Sequence, residues 1–291
     1  MKPLFCALLV VLLVIPATAV GPTGKPEEVG VSTERLQRIT QMIKRRIDAG
    51  DLAGAVTLVA RRGKVVHLAA RGVSDLDSKQ PMTPANMFRI ASMTKPVVGV
   101  AVMMLVEEGR LRLNDPVARY IPEFRNMKVG IPQPTAGRAG GAAGSTPAFY
   151  TVPAQREITI KDLLTHVSGL GSGPMGNSDI EKVARKDGET LAQYIPRLGG
   201  TTLEFQPGSR WTYSPGAGFE TLGRIVEIAS GMPLDRFFRT RIFDPLGMKD
   251  ITFWPTEAQW PRVATVYARG ANGLTKQTMP NDTMSRNVYF R

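Results

Sequence analysis

Apolar residues recur at helical spacing between Ser32 and Ala49, where Leu36, Ile39, Ile43 and Ile47 form one stripe and Ser32 can cap the start. The period then shortens. Residues 54–61 and 64–71 read as strands, with Arg62-Gly63 at the hairpin position between them. Helix, hairpin and a loop into another helix predict an antiparallel sheet covered by helices. That next helix is expected to begin at Ser92, run to about Glu108 and stop at Gly109. After a rigid stretch, Leu111 to Pro116, comes a low-complexity segment at 132–149, rich in Gly, Ala, Pro and Thr. It reads as a surface insertion, with an active-site lid as the alternative. Residues 158–165 predict a capped helix entering a Gly-rich turn at Ser168 to Gly171. Residues 216–230 predict a further helix, with Phe219, Leu222, Ile225, Val226 and Ala229 on its apolar side. Beyond about residue 255 the pattern weakens, and no internal repeat appears.

The N-terminus carries a different signal. Lys2 precedes an apolar run from Leu4 to Ile15, Pro16 breaks the run, and Ala17-Thr18-Ala19 is a small-x-small cleavage site. This predicts a signal peptide over 1–19 and export to the bacterial periplasm or the medium. A run of about a dozen apolar residues is shorter than the roughly 20 a membrane span needs, so no stable span is expected in the mature chain. Cys6 lies inside that run and is the only cysteine, so a mature chain would have no disulfide, thiolate metal site or cysteine nucleophile.

The 291 residues, 43% hydrophobic, suffice for one large or two small cores. The formal net charge is +12. The basic residues are scattered and no nucleic-acid motif accompanies them, so a basic solvated surface is expected rather than a nucleic-acid partner.

Ser92-Met93-Thr94-Lys95 is an S-x-x-K sequence. Helical positions three apart lie one turn along on neighbouring faces, which brings the Lys95 amine within reach of the Ser92 hydroxyl. A serine hydroxyl is a poor nucleophile until a base takes its proton. Burial and the positive end of a helix both disfavour a charged lysine and so prepare it for that task. A serine at a helix start can equally be no more than a cap.

Further blocks extend the motif. They are Phe88-Arg89-Ile90-Ala91 before it, Leu111 to Val117, Tyr120-Ile121-Pro122-Glu123-Phe124, Ile158 to Leu170, Pro207-Gly208, Tyr213-Ser214, and Pro245-Leu246-Gly247-Met248. In this order they resemble the class C β-lactamase, penicillin-binding protein and family VIII carboxylesterase superfamily over nearly the whole mature length. The resemblance implies an α/β (α+β) fold of the β-lactamase/transpeptidase type. One β-lactamase-related domain would cover 27–291, with 27–90 contributing to an antiparallel sheet flanked by helices and 91–250 forming a mostly helical part. It also implies Ser92 as nucleophile, Lys95 as its activating partner and Tyr213 as a second base that relays the proton to the leaving group. The implied substrate is a small ester, a β-lactam or a peptidoglycan-like peptide, and no cofactor is implied.

Two departures qualify this. The asparagine of the family's Y-x-N element is Pro215 here, which has no side-chain amide; this favours ester or peptide-like substrates over penicillins. The family's third motif, a late K-T-G strand that supplies an oxyanion-hole N–H, has no counterpart, since Lys276-Gln277-Thr278 does not fit. The expectation is therefore a chain without the C-terminal strands, and loss of one oxyanion donor costs about 10²–10³ in rate. The competing expectation is a catalytically impaired relative that binds cell-wall peptides or a protein partner.

His67 and His166 are the two histidines. No G-x-S-x-G elbow accompanies them, so a Ser-His-Asp arrangement is not favoured, and the resemblance gives His166 a fold-supporting place. Two isolated histidines also speak against a metal site.

Overall fold

A computed structural model describes residues 21–133, 146–186 and 188–278. Among the described residues the chain divides into two compact units, one of residues 21–88 together with 259–278, the other Arg89–Ala258. The signal-peptide segment and most of the low-complexity segment lie outside the described residues.

In the first unit, helix α1 (Thr33–Asp48) is capped by Ser32, whose side chain accepts the Arg35 N–H. Its stripe buries Leu36 and Ile43 and packs on a hairpin of β1 (Gly54–Arg61) and β2 (Lys64–Gly72). The strands are antiparallel, with an irregularity between Val59 and Ala60. Arg62 and Gly63 both take positive φ, 50° and 73°, the left-handed pair that a two-residue hairpin turn requires.

The second unit opens with a 3-10 turn at Ala91–Met93 that feeds α2 (Thr94–Glu107). The expected helix start at Ser92 is thus corrected. Ser92 sits in the tighter turn, no side-chain cap bond starts either helix there, and Ala91 before it takes a positive φ of 43°. Val98, Ala101, Val102 and Leu105 of α2 are buried. A small mixed sheet follows, with β3 (Lys128–Pro132) central, β4 (Phe149–Pro153) antiparallel to it and β5 (Thr202–Leu203) parallel. Helices α3 (Ile160–Leu164), α4 (Pro174–Lys182), α5 (Leu191–Leu198), α6 (Ala217–Ser230) and α7 (Leu234–Phe238) complete the unit. α3 and α5 each begin with a capping box, Thr159/Asp162 and Thr190/Gln193. α6 ends at Gly231 in the left-handed conformation, as a helix C-terminus prefers. One apolar core joins α2, α5, α6 and α7, where Leu105, Ile195, Leu222 and Phe237 are inaccessible to solvent.

The chain then returns to the first unit with a second antiparallel hairpin, β6 (Tyr267–Gly270) and β7 (Gly273–Lys276). Asp75 ties this hairpin down by accepting from Thr265 Oγ1 at 2.7 Å and Lys276 Nζ at 3.1 Å. No helix among the described residues is long and apolar enough to cross a membrane.

Candidate active site

All three residues singled out by sequence lie together in the second unit. Lys95 Nζ donates to Ser92 Oγ at 3.1 Å, the contact that S-x-x-K spacing anticipates. The Tyr213 hydroxyl donates to the same oxygen at 2.6 Å, across 121 positions of sequence. Ser92 is solvent-exposed, and the positive φ of Ala91 before it is a backbone conformation that non-glycine residues seldom adopt. Such strain, worth about 1–3 kcal/mol per residue, concentrates at functional sites.

Lys95 has a second anchor that no side-chain pattern announces. Its Nζ donates to the Pro215 carbonyl at 2.6 Å, and it stands 4.9 Å from the ring centre of Tyr213 and 5.6 Å from that of Phe219. The lysine beside Tyr213, and then the bond with Ser92, hold the phenol below its ordinary pKa of 10. The lowered value makes the phenolate, the form that can accept a proton, available at lower pH than in a free tyrosine.

His166 is a support rather than a base. It makes no hydrogen bond to Ser92; its Nδ1 accepts the Ser214 N–H at 3.1 Å, and its carbonyl accepts the Thr212 N–H at 3.1 Å. Its ring packs 4.8 Å from Tyr213 and 5.3 Å from Phe219. Burial, and then the nearby Lys95 charge, keep the imidazole pKa below its usual value, so the neutral acceptor form is favoured. Ser214 is buried, and its Oγ accepts the Gly218 N–H at 3.2 Å, joining the Tyr213 segment to the start of α6. His67, by contrast, bonds Thr57 across the β1–β2 hairpin in the first unit.

A cavity of about 410 Å³ adjoins Ser92 and Lys95. Val98, Leu191, Phe219, Leu234 and Phe253 give its wall apolar side chains, and Glu220 from the first turn of α6 is the one acidic residue among the described residues that line it. Sequence reasoning did not single out Glu220; a carboxylate beside Phe219 on a helix's apolar side was the available sign.

The family model for beta-lactamase matches residues 39–289. The chain belongs to the β-lactamase family. Protein Rv1367c of Mycobacterium tuberculosis is 38% identical over 227 residues, covering 77% of this chain and 53% of that protein. Esterase EstB of Burkholderia gladioli is 36% identical over 226 residues, covering 75% of this chain and 51% of the esterase. The chain thus spans about half the length of these β-lactamase-family relatives. Among solved structures, EstCE1, described as a hydrolase with promiscuous acyltransferase activity, superposes with a TM-score of 0.66 at 28% identity. That match covers 86% of this chain and 63% of EstCE1. The fold is of the β-lactamase/transpeptidase type.

Proposed function

We propose that this chain is an exported serine hydrolase that works through an acyl-enzyme on an ester or related carbonyl. The observation that carries the reading is the convergence of the Lys95 amine and the Tyr213 phenol on one exposed serine oxygen, at 3.1 and 2.6 Å. In the reacting state the Ser92 hydroxyl gives its proton to the Tyr213–Lys95 pair as Oγ bonds to the substrate carbonyl carbon. The oxygen of the tetrahedral intermediate takes a hydrogen bond from the Ser92 N–H. Collapse breaks the bond to the leaving group, which receives the proton from Tyr213. Water, deprotonated by the same pair, then attacks the acyl-serine, releasing the acid and restoring Ser92. Pro215 has no side-chain amide to donate to a β-lactam side chain, which favours an ester or peptide-like carbonyl over a β-lactam. The kinship with esterase EstB supports the same choice.

The test is the intact mass of the chain after exposure to a fluorophosphonate, with Ser92→Ala alongside. One adduct on wild type and none on Ser92→Ala is the expected result. A folded wild type that takes no adduct removes the hydrolase reading and favours a relative that only binds cell-wall peptides or a protein. Sequencing the N-terminus of the protein recovered from outside the cytoplasm tests export; a mature start at Val20 is expected.

A further inference from the structure

Glu220 has no part in the proton path just described, yet it lines the same cavity as Ser92 and Lys95. Its carboxyl makes no hydrogen bond with the described residues; only the through-space pull of Arg185 and Lys95 reaches it. Lys95 is already committed to Ser92 Oγ and the Pro215 carbonyl. Burial raises the Glu220 pKa against that pull. Glu220 is partly accessible on the cavity wall, where a carboxylate can pair with a cation brought to it. The surrounding wall suits such a cation. Phe219 and Phe253 line the same cavity, and aromatic faces attract an ammonium group. The remaining aliphatic wall suits a methylene chain leading away from the reacting carbonyl.

We infer that Glu220 is a specificity-determining residue that makes this cavity an acyl site for chains ending in an ammonium group, against chains ending in a carboxylate. The inference rests on the serine hydrolase reading above. The substrate class is an ester of an ω-amino acid or of a basic amino acid with an aliphatic stem. The ammonium pairs with the Glu220 carboxylate. The ester bond is broken by Ser92 as for any other acyl group.

The test compares p-nitrophenyl esters of three chains of similar length: heptanoic acid, 6-aminohexanoic acid and adipic acid as its monoester. Wild type and Glu220→Gln are compared, with Glu220→Leu as a second variant and thermal unfolding as the check that each is folded. Wild type is expected to favour the aminohexanoyl over the adipoyl ester in kcat/KM by roughly tenfold or more. Glu220→Gln is expected to lose that ratio, chiefly through KM for the aminohexanoyl ester. A wild type without the preference, or a folded Glu220→Gln that keeps it, overturns the inference. Fluorophosphonate labelling of the same samples separates the two failures. Labelled Ser92 without charge preference removes only the role of Glu220, whereas no labelling of folded protein removes both.

Discussion

His166 Nδ1 accepts the backbone N–H of Ser214 at 3.1 Å, and Ser214 follows Tyr213 directly. With the Thr212 N–H bonded to the His166 carbonyl, one residue fixes the backbone on both sides of the phenol. The phenol reaches Ser92 from a segment without regular secondary structure, so its aim depends on this clamp.

The clamp needs a neutral imidazole, and that sets a pH dependence. In the unfolded chain a histidine takes its proton near pH 6.5; in the fold His166 does so at lower pH. Between those values the unfolded chain binds more protons, so the contribution is complete above about pH 6.5 and is lost as pH falls through the folded value. Melting temperatures between pH 5 and 7 are expected to fall more steeply for wild type than for His166→Gln, which offers an acceptor that does not titrate. Parallel curves would exonerate His166.

Tyr213→Phe keeps the ring against His166 and removes the oxygen bonded to Ser92. Acylation is expected to slow by about 10²–10⁴, the range for loss of a general base. The melting temperature should change little, since Tyr213 is 40% exposed. In wild type the rate should rise with pH at a midpoint below 10, because the lowered phenol pKa supplies the basic form earlier. A stopped-flow pH profile in which Tyr213→Phe retains that rise would contradict the assignment.

Asp162 couples the cap of α3 to Arg156. It is buried, accepts from Arg156 at 2.5 and 3.0 Å, and takes the Thr159 N–H and hydroxyl. Burial pushes its pKa up, but Arg156 and Thr159 outweigh that and hold it low. Asp162→Ala is expected to cost about 2–3 kcal/mol in urea unfolding at neutral pH. The gap should narrow as pH drops below about 4, where the unfolded chain's carboxylate takes its proton, and close as pH falls through the lower folded value.

At the end of α5 the test is steric. A Cβ on Gly199 would lie 2.3 Å from the Glu123 carbonyl oxygen and 2.9 Å from the Phe124 nitrogen. Its φ of −62° is open to any residue, so contact alone excludes a side chain. Gly199→Ala should lose about 1–3 kcal/mol. Gly200→Ala is the control, because its nearest contact would be 3.6 Å; equal losses would refute the steric account.

Local signals were legible wherever chemistry is local. Alternating runs joined by Arg62-Gly63 became the β1–β2 hairpin, and the helical stripe over 216–230 became α6, because neighbours in sequence decide both. The Ser92–Lys95 contact was readable for the same reason. β3 and β5 were not, since their pairing joins Lys128 to Thr202 and is settled by distant partners. The β6–β7 hairpin lies where the hydrophobic pattern is weak, and Asp75, far away in sequence, supports it. Within the site, the Lys95 anchor on the Pro215 carbonyl left no trace in side-chain identity, because every residue has that oxygen.

That last point bears on how the site can evolve. Lys95 hangs on the main chain at position 215, so the codon there can drift without releasing the lysine, provided the local backbone path is kept. Pro215 secures that path by restricting its own φ. A replacement able to hold the same backbone would inherit the Lys95 anchor intact while presenting a new side chain to the cavity. Selection can therefore vary the cavity wall at position 215 separately from the contact between Lys95 and Ser92.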